Sequence, residues 1–256
     1  MRIFGDDLEF LVEVEKGSVL GHSMVHKFGR NAGVPNGTWE FVTLLGHTVW
    51  PLSSDTPVRI KAGNALDTST GTGARAITVE GIDDSFNEVT ETITTVGASA
   101  STHTTTSFWR VHRAWVSSVG TYGGANSSEA VTIENSTGGT DIIQIGAQEG
   151  QTQFSGWTVP INKTAYLLEA HVHVDTNKTA DIRLFTRDDI DDTVAPMKSK
   201  RLKLYLDGVE GNFMYDPSGP EIIINQKSDI WFEALGDGAV SEVSVDFELL
   251  VVDNNL

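Results

Sequence analysis

From Glu242 to Leu249 apolar and polar residues alternate without a break: Glu242-Val243-Ser244-Val245-Asp246-Phe247-Glu248-Leu249. A period of two places Val243, Val245, Phe247 and Leu249 on one face, which is the pattern of a half-buried β-strand. The same pattern marks Ala165–Val174, Ala180–Phe185, Arg201–Tyr205 and Asp229–Ala234. Ser107–Val116 reads as a further strand. The clearest hairpin joins Ala76–Gly81 to Glu88–Thr95 through the turn Asp83-Asp84-Ser85-Phe86-Asn87. The spacing of a long amphipathic helix, with apolar residues at i, i+3, i+4 and i+7, does not occur, and Glu9 to Val14 reads as a short strand-like stretch. Short strands punctuated by Gly, Asn and Asp predict an all-β chain of β-sandwich or jelly-roll type.

The chain has 256 residues, 25 of them Gly, enough for one large β domain or two modest ones. Residues 1–38 predict an extended N-terminal arm, because Gly and Asn leave little room for regular structure there. Breaks follow at Gly120–Ser128 and Asn135–Thr140. The second of these sets the boundary between a first β domain, 39–138, and a C-terminal acidic β-sandwich, 139–256. Residues 1–128 hold 9 basic and 13 acidic side chains, and residues 129–256 hold 9 and 22. The carboxylate-free run from Thr92 to Ser128 accentuates this asymmetry, which suits a protein with one docking end and one solvent end.

A net charge of −17 argues against binding nucleic acid or an anionic membrane. With no cysteine, disulfides, thiolate nucleophiles and Cys-based metal sites are excluded. Apolar runs such as Ile222-Ile223-Ile224 are far too short to span a bilayer, and the N-terminal residues do not read as a secretory signal.

Candidate chemistry is sparse. His171, His173 and Asp175 share a strand face, as a facial metal set would, but the expected role is the solvent face of an antiparallel strand with no metal. His22 and His26 have i, i+4 spacing without the Glu of a zincin motif. Asp188, Asp189, Asp191 and Asp192 pack four carboxylates into five positions, read as a solvated acidic loop rather than a Ca²⁺ site. Gly71-Thr72-Gly73-Ala74-Arg75 lacks the rest of a phosphate loop and reads as a turn into a strand. Trp109, Arg110, His112, Arg113 and Trp115 interleave rings with cations, but the acidic balance favours core or a subunit interface over nucleic acid. Five Asn-X-Ser/Thr sequons are what so Thr- and Ser-rich a chain produces by chance. No catalytic motif and no cofactor fingerprint is present.

The stretch Gly21-His22-Ser23-Met24-Val25-His26-Lys27-Phe28-Gly29-Arg30-Asn31 resembles the N-terminal signature of a group of tailed-bacteriophage virion proteins from marine and freshwater phages, cyanophages among them. Further blocks are similar to the same group. One is Asp67 with Gly71-Thr72-Gly73-Ala74-Arg75, leading to Val79, Gly81-Ile82-Asp83 and Glu91. Another is Arg110 to Gly120. A third is Thr158-Val159-Pro160-Ile161-Asn162-Lys163-Thr164-Ala165-Tyr166-Leu167, with Asn162 in the usual Gly place. The resemblance implies a non-enzymatic structural protein of the virion, on the particle surface, made in the host cytoplasm, with the head favoured over the tail. It implies the major capsid protein or another virion protein as partner.

On this reading the protein is a capsid decoration, cement or head-fibre protein. Its arm orders on the coat through Leu20, His22, Met24, Val25, His26, Lys27, Phe28, Arg30 and Asn31, while residues 141–256 face solvent. Self-association as a homotrimer would cover edge strands. Deleting residues 1–31 should then abolish incorporation and leave the C-terminal domain folded. The alternatives are a tail or neck component, and a host-glycan-binding β module whose loop aromatics would be Trp157, Tyr122 and Tyr215.

Overall fold

A computed structural model describes residues 5–46, 50–61, 63–216, 222–238 and 240–255, and the side chains of these from residue 9 onward. The chain begins with helix α1 (Gly5–Glu15), strand β1 (His22–Val34) and strand β2 (Glu40–Phe41). Then come β3 (Thr56–Ile60), β4 (Ala74–Ile82), β5 (Glu88–Thr94), β6 (Ser107–Phe108), β7 (Arg110–Val119), β8 (Val131–Asn135) and β9 (Asp141–Ile145). The last part holds β10 (Gly156–Thr158), β11 (Lys163–Val174), β12 (Thr179–Arg187), β13 (Arg201–Val209), β14 (Gly211–Tyr215), β15 (Ile223–Ile224), β16 (Asp229–Asp237) and β17 (Ser241–Asp253). The fold is all-β, as the period-two segments predict.

Two compact units divide the chain, Met1–Val42 with Ser155–Leu256 and Thr43–Phe154. In the first, one sheet runs β1-β17-β11-β14 with β15 also on β11, and the other runs β10-β16-β12-β13 with β2 also on β16. The chain passes between the sheets in the strand order of a jelly roll, two Greek keys in eight strands. The alternation seen in the sequence fills the space between them. Val243, Val245, Phe247 and Leu249 from β17, and Ala165, Leu167, Ala170, Val172 and Val174 from β11, meet Ile182, Leu184, Ile230, Phe232 and Ala234 from the other sheet. Phe232 and Phe247 touch ring to ring across this core at 5.4 Å.

The second unit holds a four-stranded sheet, β6-β3-β8-β9, and a three-stranded one, β5-β4-β7. Its buried apolar side chains, among them Val58, Ile60, Ile77, Val79, Ile82, Val111, Ile133 and Ile143, come from both sheets. The predicted hairpin is β4–β5, paired from Ala76 with Thr94 to Ile82 with Glu88. Asp83 closes its turn by accepting N–H bonds from Ser85 and Asn87, each at 2.9 Å. The strand expected over Ser107–Val116 is broken at Trp109 into β6 and β7.

Three expectations are corrected. Residues 5–15 form an α-helix, not a strand-like piece of an arm. The helix ends in a Schellman motif: Gly17, at φ 71°, donates to Val14 O at 2.8 Å, and Ser18 donates to Glu13 O at 2.9 Å. The expected arm is not extended and free either. Residues 22–34 are the outer strand of the first sheet, in antiparallel register with β17 from His22–Val252 to Val34–Ser241. Residues 1–4 of that expected arm lie outside the described residues. Finally, the C-terminal β domain is not contiguous. It takes β1 and β2 from residues 1–42, and the other unit is an insertion between β2 and β10, both of which border β16. Deleting residues 1–31 would therefore remove most of an edge strand and uncover the β17 core, rather than free a folded domain.

Candidate functional site

The outward face of the first sheet gathers the residues that sequence reasoning scattered. Because β1, β17, β11 and β14 pair in register, their outward positions fall into rows. Met24, Leu250, Tyr166 and Ile223 form one, His26, Glu248 and Glu169 the next, then Phe28, Asp246, His171 and Met214, and then Arg30, Ser244, His173 and Asn212. Asp246 lies between two imidazoles, with Oδ2 3.9 Å from His26 Nε2 and Oδ1 3.6 Å from His171 Nδ1. His173 Nδ1 is 2.9 Å from Asn212 Oδ1, and Arg30 reaches Glu242 at 3.5 Å.

Helix α1 borders this face. Val14 is buried, and Phe10 meets the His22 ring edge-on at 5.7 Å. A cleft of about 710 Å³ is lined by Leu11, Val12 and Glu15 of the helix and by Met24, Leu168, Glu169, Met214 and Glu248 of the sheet. Burial raises the Glu248 carboxyl above its ordinary range, and the facing negative charge of Glu169 raises it further. His26 opposes the shift, while Glu15 and Asp246 add to it. Glu15, Glu169, Asp216 and Glu248 thus line the cleft with one cation, Lys16, at the C-terminal end of a helix whose dipole is also negative there. The site can take up protons or positive charge, and it offers apolar side chains beside them.

The nine residues expected to contact a partner separate by strand parity. His22, Met24, His26, Phe28 and Arg30 point outward, and Leu20 is exposed ahead of the strand. Val25, Lys27 and Asn31 point inward, opposite Leu249, Phe247 and Val243. Lys27 and Asn31 are buried, so they are corrected from partner contacts to structural ones. Asn31 donates to Glu40 and to the Phe41 carbonyl, each at 3.0 Å, and so fixes β2. Gly29 is required by close approach, since a Cβ there would overlap the Val42 carbonyl and the Ser155 amide.

The other sequence blocks also resolve into packing. Asp67 is buried and accepts from Ala74 N at 2.7 Å and from Ser127 Oγ at 2.8 Å. A Cβ at Gly73 would strike Asp67, and one at Gly120 would strike the Gly71 carbonyl, so the Asp67–Arg75 and Arg110–Gly120 blocks lock onto each other. Gly71–Gly73 does lead into a strand, β4. Asn162 sits at φ 61°, in the left-handed region that glycine and asparagine adopt most readily. Arg110 is buried with its guanidinium 5.0 Å from the Trp50 ring and 4.8 Å from Trp109, so Trp109, Arg110 and His112 belong to the core, while Arg113 is exposed and its guanidinium lies 5.5 Å from the half-buried Trp115 ring.

His171 and His173 do face outward, while Asp175 accepts from Glu242 N at 3.1 Å. Among the described residues no group of three His, Asp or Glu side chains is arranged to hold a metal ion. The acidic loop is not simply solvated: Asp188 pairs with Arg201, Asp189 with Lys198 and Asp191 with Lys227. Trp157 belongs to the core, which removes it as a glycan contact, and Tyr215 packs against the same core; Tyr122 is fully exposed.

A second cluster, on the outward face of the other sheet, was missed. Glu233, 5 % exposed, accepts from Arg183 at 2.7 Å, Trp231 Nε1 at 2.9 Å and Lys200 at 3.0 Å. The Arg183 guanidinium lies 3.4 Å from the Trp39 ring centroid, and Trp231 stacks on Phe185 at 5.7 Å. The available signal was Asp181-Ile182-Arg183-Leu184-Phe185 beside Trp231-Phe232-Glu233: rings and opposite charges on the strand faces that the core does not use.

No family model matches the chain, and no curated protein matches it in sequence. Among solved structures, one of infectious bursal disease virus Gx strain is 8 % identical, with a TM-score of 0.28, over 91 % of this chain and 72 % of that one. One of infectious bursal disease virus Gt strain is 6 % identical, with a TM-score of 0.12, over 91 % and 80 %. Similarity at this level assigns neither fold nor function. Among the described residues no helix is long and apolar enough to cross a membrane.

Proposed function

We propose that the protein is a non-enzymatic structural component of a tailed-phage virion, a decoration or cement protein on the capsid. The observation that supports this reading is the placement of the signature block. From His22 on, the signature block Gly21–Asn31 falls in β1, and five of its eleven residues, His22, Met24, His26, Phe28 and Arg30, lie on one open sheet face beside exposed Leu20. The jelly-roll interior is filled by apolar side chains from both sheets, so an activity or a contact has to use the outside. Docking then occurs through a prebuilt face, without unfurling an arm. Jelly rolls also occur in lectins and cupins, so the fold supports the reading only by analogy.

Particle reconstitution tests it. Met24→Asp with Phe28→Asp should abolish decoration of capsids while leaving the melting transition intact. Normal occupancy by this variant would overturn docking through β1. Immunogold labelling separates the head from a tail or neck site. A host-glycan-binding role is favoured by one feature, the Trp39 and Tyr205 rings 6.3 Å apart on the other outward face. A glycan array should be blank on the capsid reading, and a specific hit lost in Trp39→Ala would support the glycan reading instead.

A further inference from the structure

The cleft between α1 and the first sheet owes its floor to an irregularity in β11. Pairing with β17 sets Leu167 opposite Leu249 and Glu169 opposite Glu248, so Leu168 is an extra residue between them. Leu167 is fully buried, while Leu168 and Glu169 both line the cleft. A bulge re-aims side chains in this way and gives up ladder pairing to do so. It lies where β11 changes neighbour, after β15 at Ala165–Tyr166 and before β14 at Ala170. Its product is two carboxylates directly opposed on adjacent strands, an arrangement that weakens a sheet.

The cleft joins those carboxylates to an apolar wall. Leu11 and Val12 of α1, Met24 of β1, Leu168 of the bulge and Met214 of β14 supply it, with Val12 42 % and Met214 53 % exposed. A volume of about 710 Å³ is that of a ligand pocket and has room for a few side chains. Glu15 and Asp216 extend the acidic side, and Lys16, the cation there, is bonded to Glu13 at 2.6 Å.

Whatever fills this space strips water from Glu169 and Glu248. An apolar or anionic occupant leaves those charges buried without compensation. A lysine or arginine supplies the compensating charge and lays its aliphatic stem along the apolar wall. A second copy of this chain is a poor source of such a group. Its net charge is −17, and its basic run Lys198, Lys200 and Arg201 is engaged by Asp189, Glu233 and Asp188.

We propose that the cleft receives a short basic segment of the docking partner, with a lysine or arginine head at Glu169 and Glu248 and neighbouring aliphatic side chains against Leu168 and Met214. The inference rests on docking through the first sheet and adds the chemistry of what docks there.

Fluorescence anisotropy with the full chain and a labelled octapeptide of alternating Lys and Leu reads the cleft without a capsid. This peptide should bind about tenfold more tightly than one of alternating Lys and Ser, and one of alternating Glu and Leu should not bind. Glu169→Gln with Glu248→Gln removes two opposed like charges and so preserves the fold. It should weaken the Lys-Leu peptide about tenfold. Asp84→Asn with Asp192→Asn makes the same change in net charge at exposed sites away from the cleft, and should alter affinity less than about twofold. Equal losses in the two variants, equal binding of the Lys-Leu and Lys-Ser peptides, or no binding at about 1 mM would each overturn the inference. Capsid decoration separates it from docking itself. Loss of decoration in Met24→Asp with Phe28→Asp, but normal occupancy in Glu169→Gln with Glu248→Gln, would keep docking through β1 and overturn the basic segment. Normal occupancy in both, with the peptide results as expected, would overturn docking and leave the cleft its selectivity for a basic peptide.

Discussion

The two outward faces of the jelly roll treat a carboxylate in opposite ways. On the second sheet Glu233 is buried, and three donors converge on it within 3.0 Å. On the first, Glu248 is half-buried beside Glu169 and Glu15, whose charges raise its carboxyl while His26 opposes them. On one face opposite charges converge on the carboxylate, braced by Trp39, Phe185 and Trp231. The other is left with like charges in adjacent strands, which destabilise a sheet. A surface that serves only stability has no reason to keep such a row. The difference separates a structural clasp on the second sheet from an uncompensated acidic row on the first, the face that the proposed docking uses.

The largest test of that contrast is Glu233→Gln. Removing one member of a buried ionic cluster costs about 3 kcal/mol or more, because Arg183 is left uncompensated. Urea unfolding should show this loss; a change under about 0.5 kcal/mol would mean the clasp is not structural. Arg183→Lys comes next, with an expected loss of about 1–2 kcal/mol. Lysine keeps the charge but loses the planar stack on Trp39.

Glu91, in the other unit, sharpens the comparison through pH. Burial alone would raise its carboxyl, but hydrogen bonds from Thr106 and Thr105 together hold it below the ordinary 4.5. Its contribution is present above pH 4.5 and is lost as pH falls through the lowered value. Glu91→Gln should flatten that acid limb of the stability curve. Glu248 has the reverse sign. Its raised folded value means that stability is greatest below pH 4.5 and declines as pH rises through the shifted value. Glu248→Gln should give the smallest effect of the four, a slight stabilisation at neutral pH that disappears in acid. A destabilised Glu248→Gln would break the contrast between the two faces.

Much of this fold was legible, because a half-buried strand writes its period directly into the sequence, as β11 and β17 do. Helix α1 was not. Phe10, Val12 and Val14 alternate with Leu11, Glu13 and Glu15 in a way that fits either period, and the packing of Val14 with the Gly17 cap decides it. Glycine misled in the same region. Gly29 looked like chain freedom, yet it serves a contact too close for any side chain. The site was legible only as parts. His26, His171 and Asp246 are a cluster solely because β1 and β11 both register on β17, and no local pattern discloses a strand order. The insertion was invisible for a similar reason, since composition marks where a chain loosens and not where it returns.

The pairing of β1 with β17 also sets a schedule for synthesis. Val34 ends the first strand and Ser241 begins its partner, so nearly the whole chain is translated in between. At roughly 5–20 residues per second the wait is roughly ten to forty seconds. The inserted unit, Thr43–Phe154, is complete long before. Throughout that interval the emerging β1 carries Met24, Val25 and Phe28 with no strand beside it. The buried Lys27 and the cationic Arg30 then act on the ribosome as solubilising charges, guarding a hydrophobic strand until its last neighbour is made.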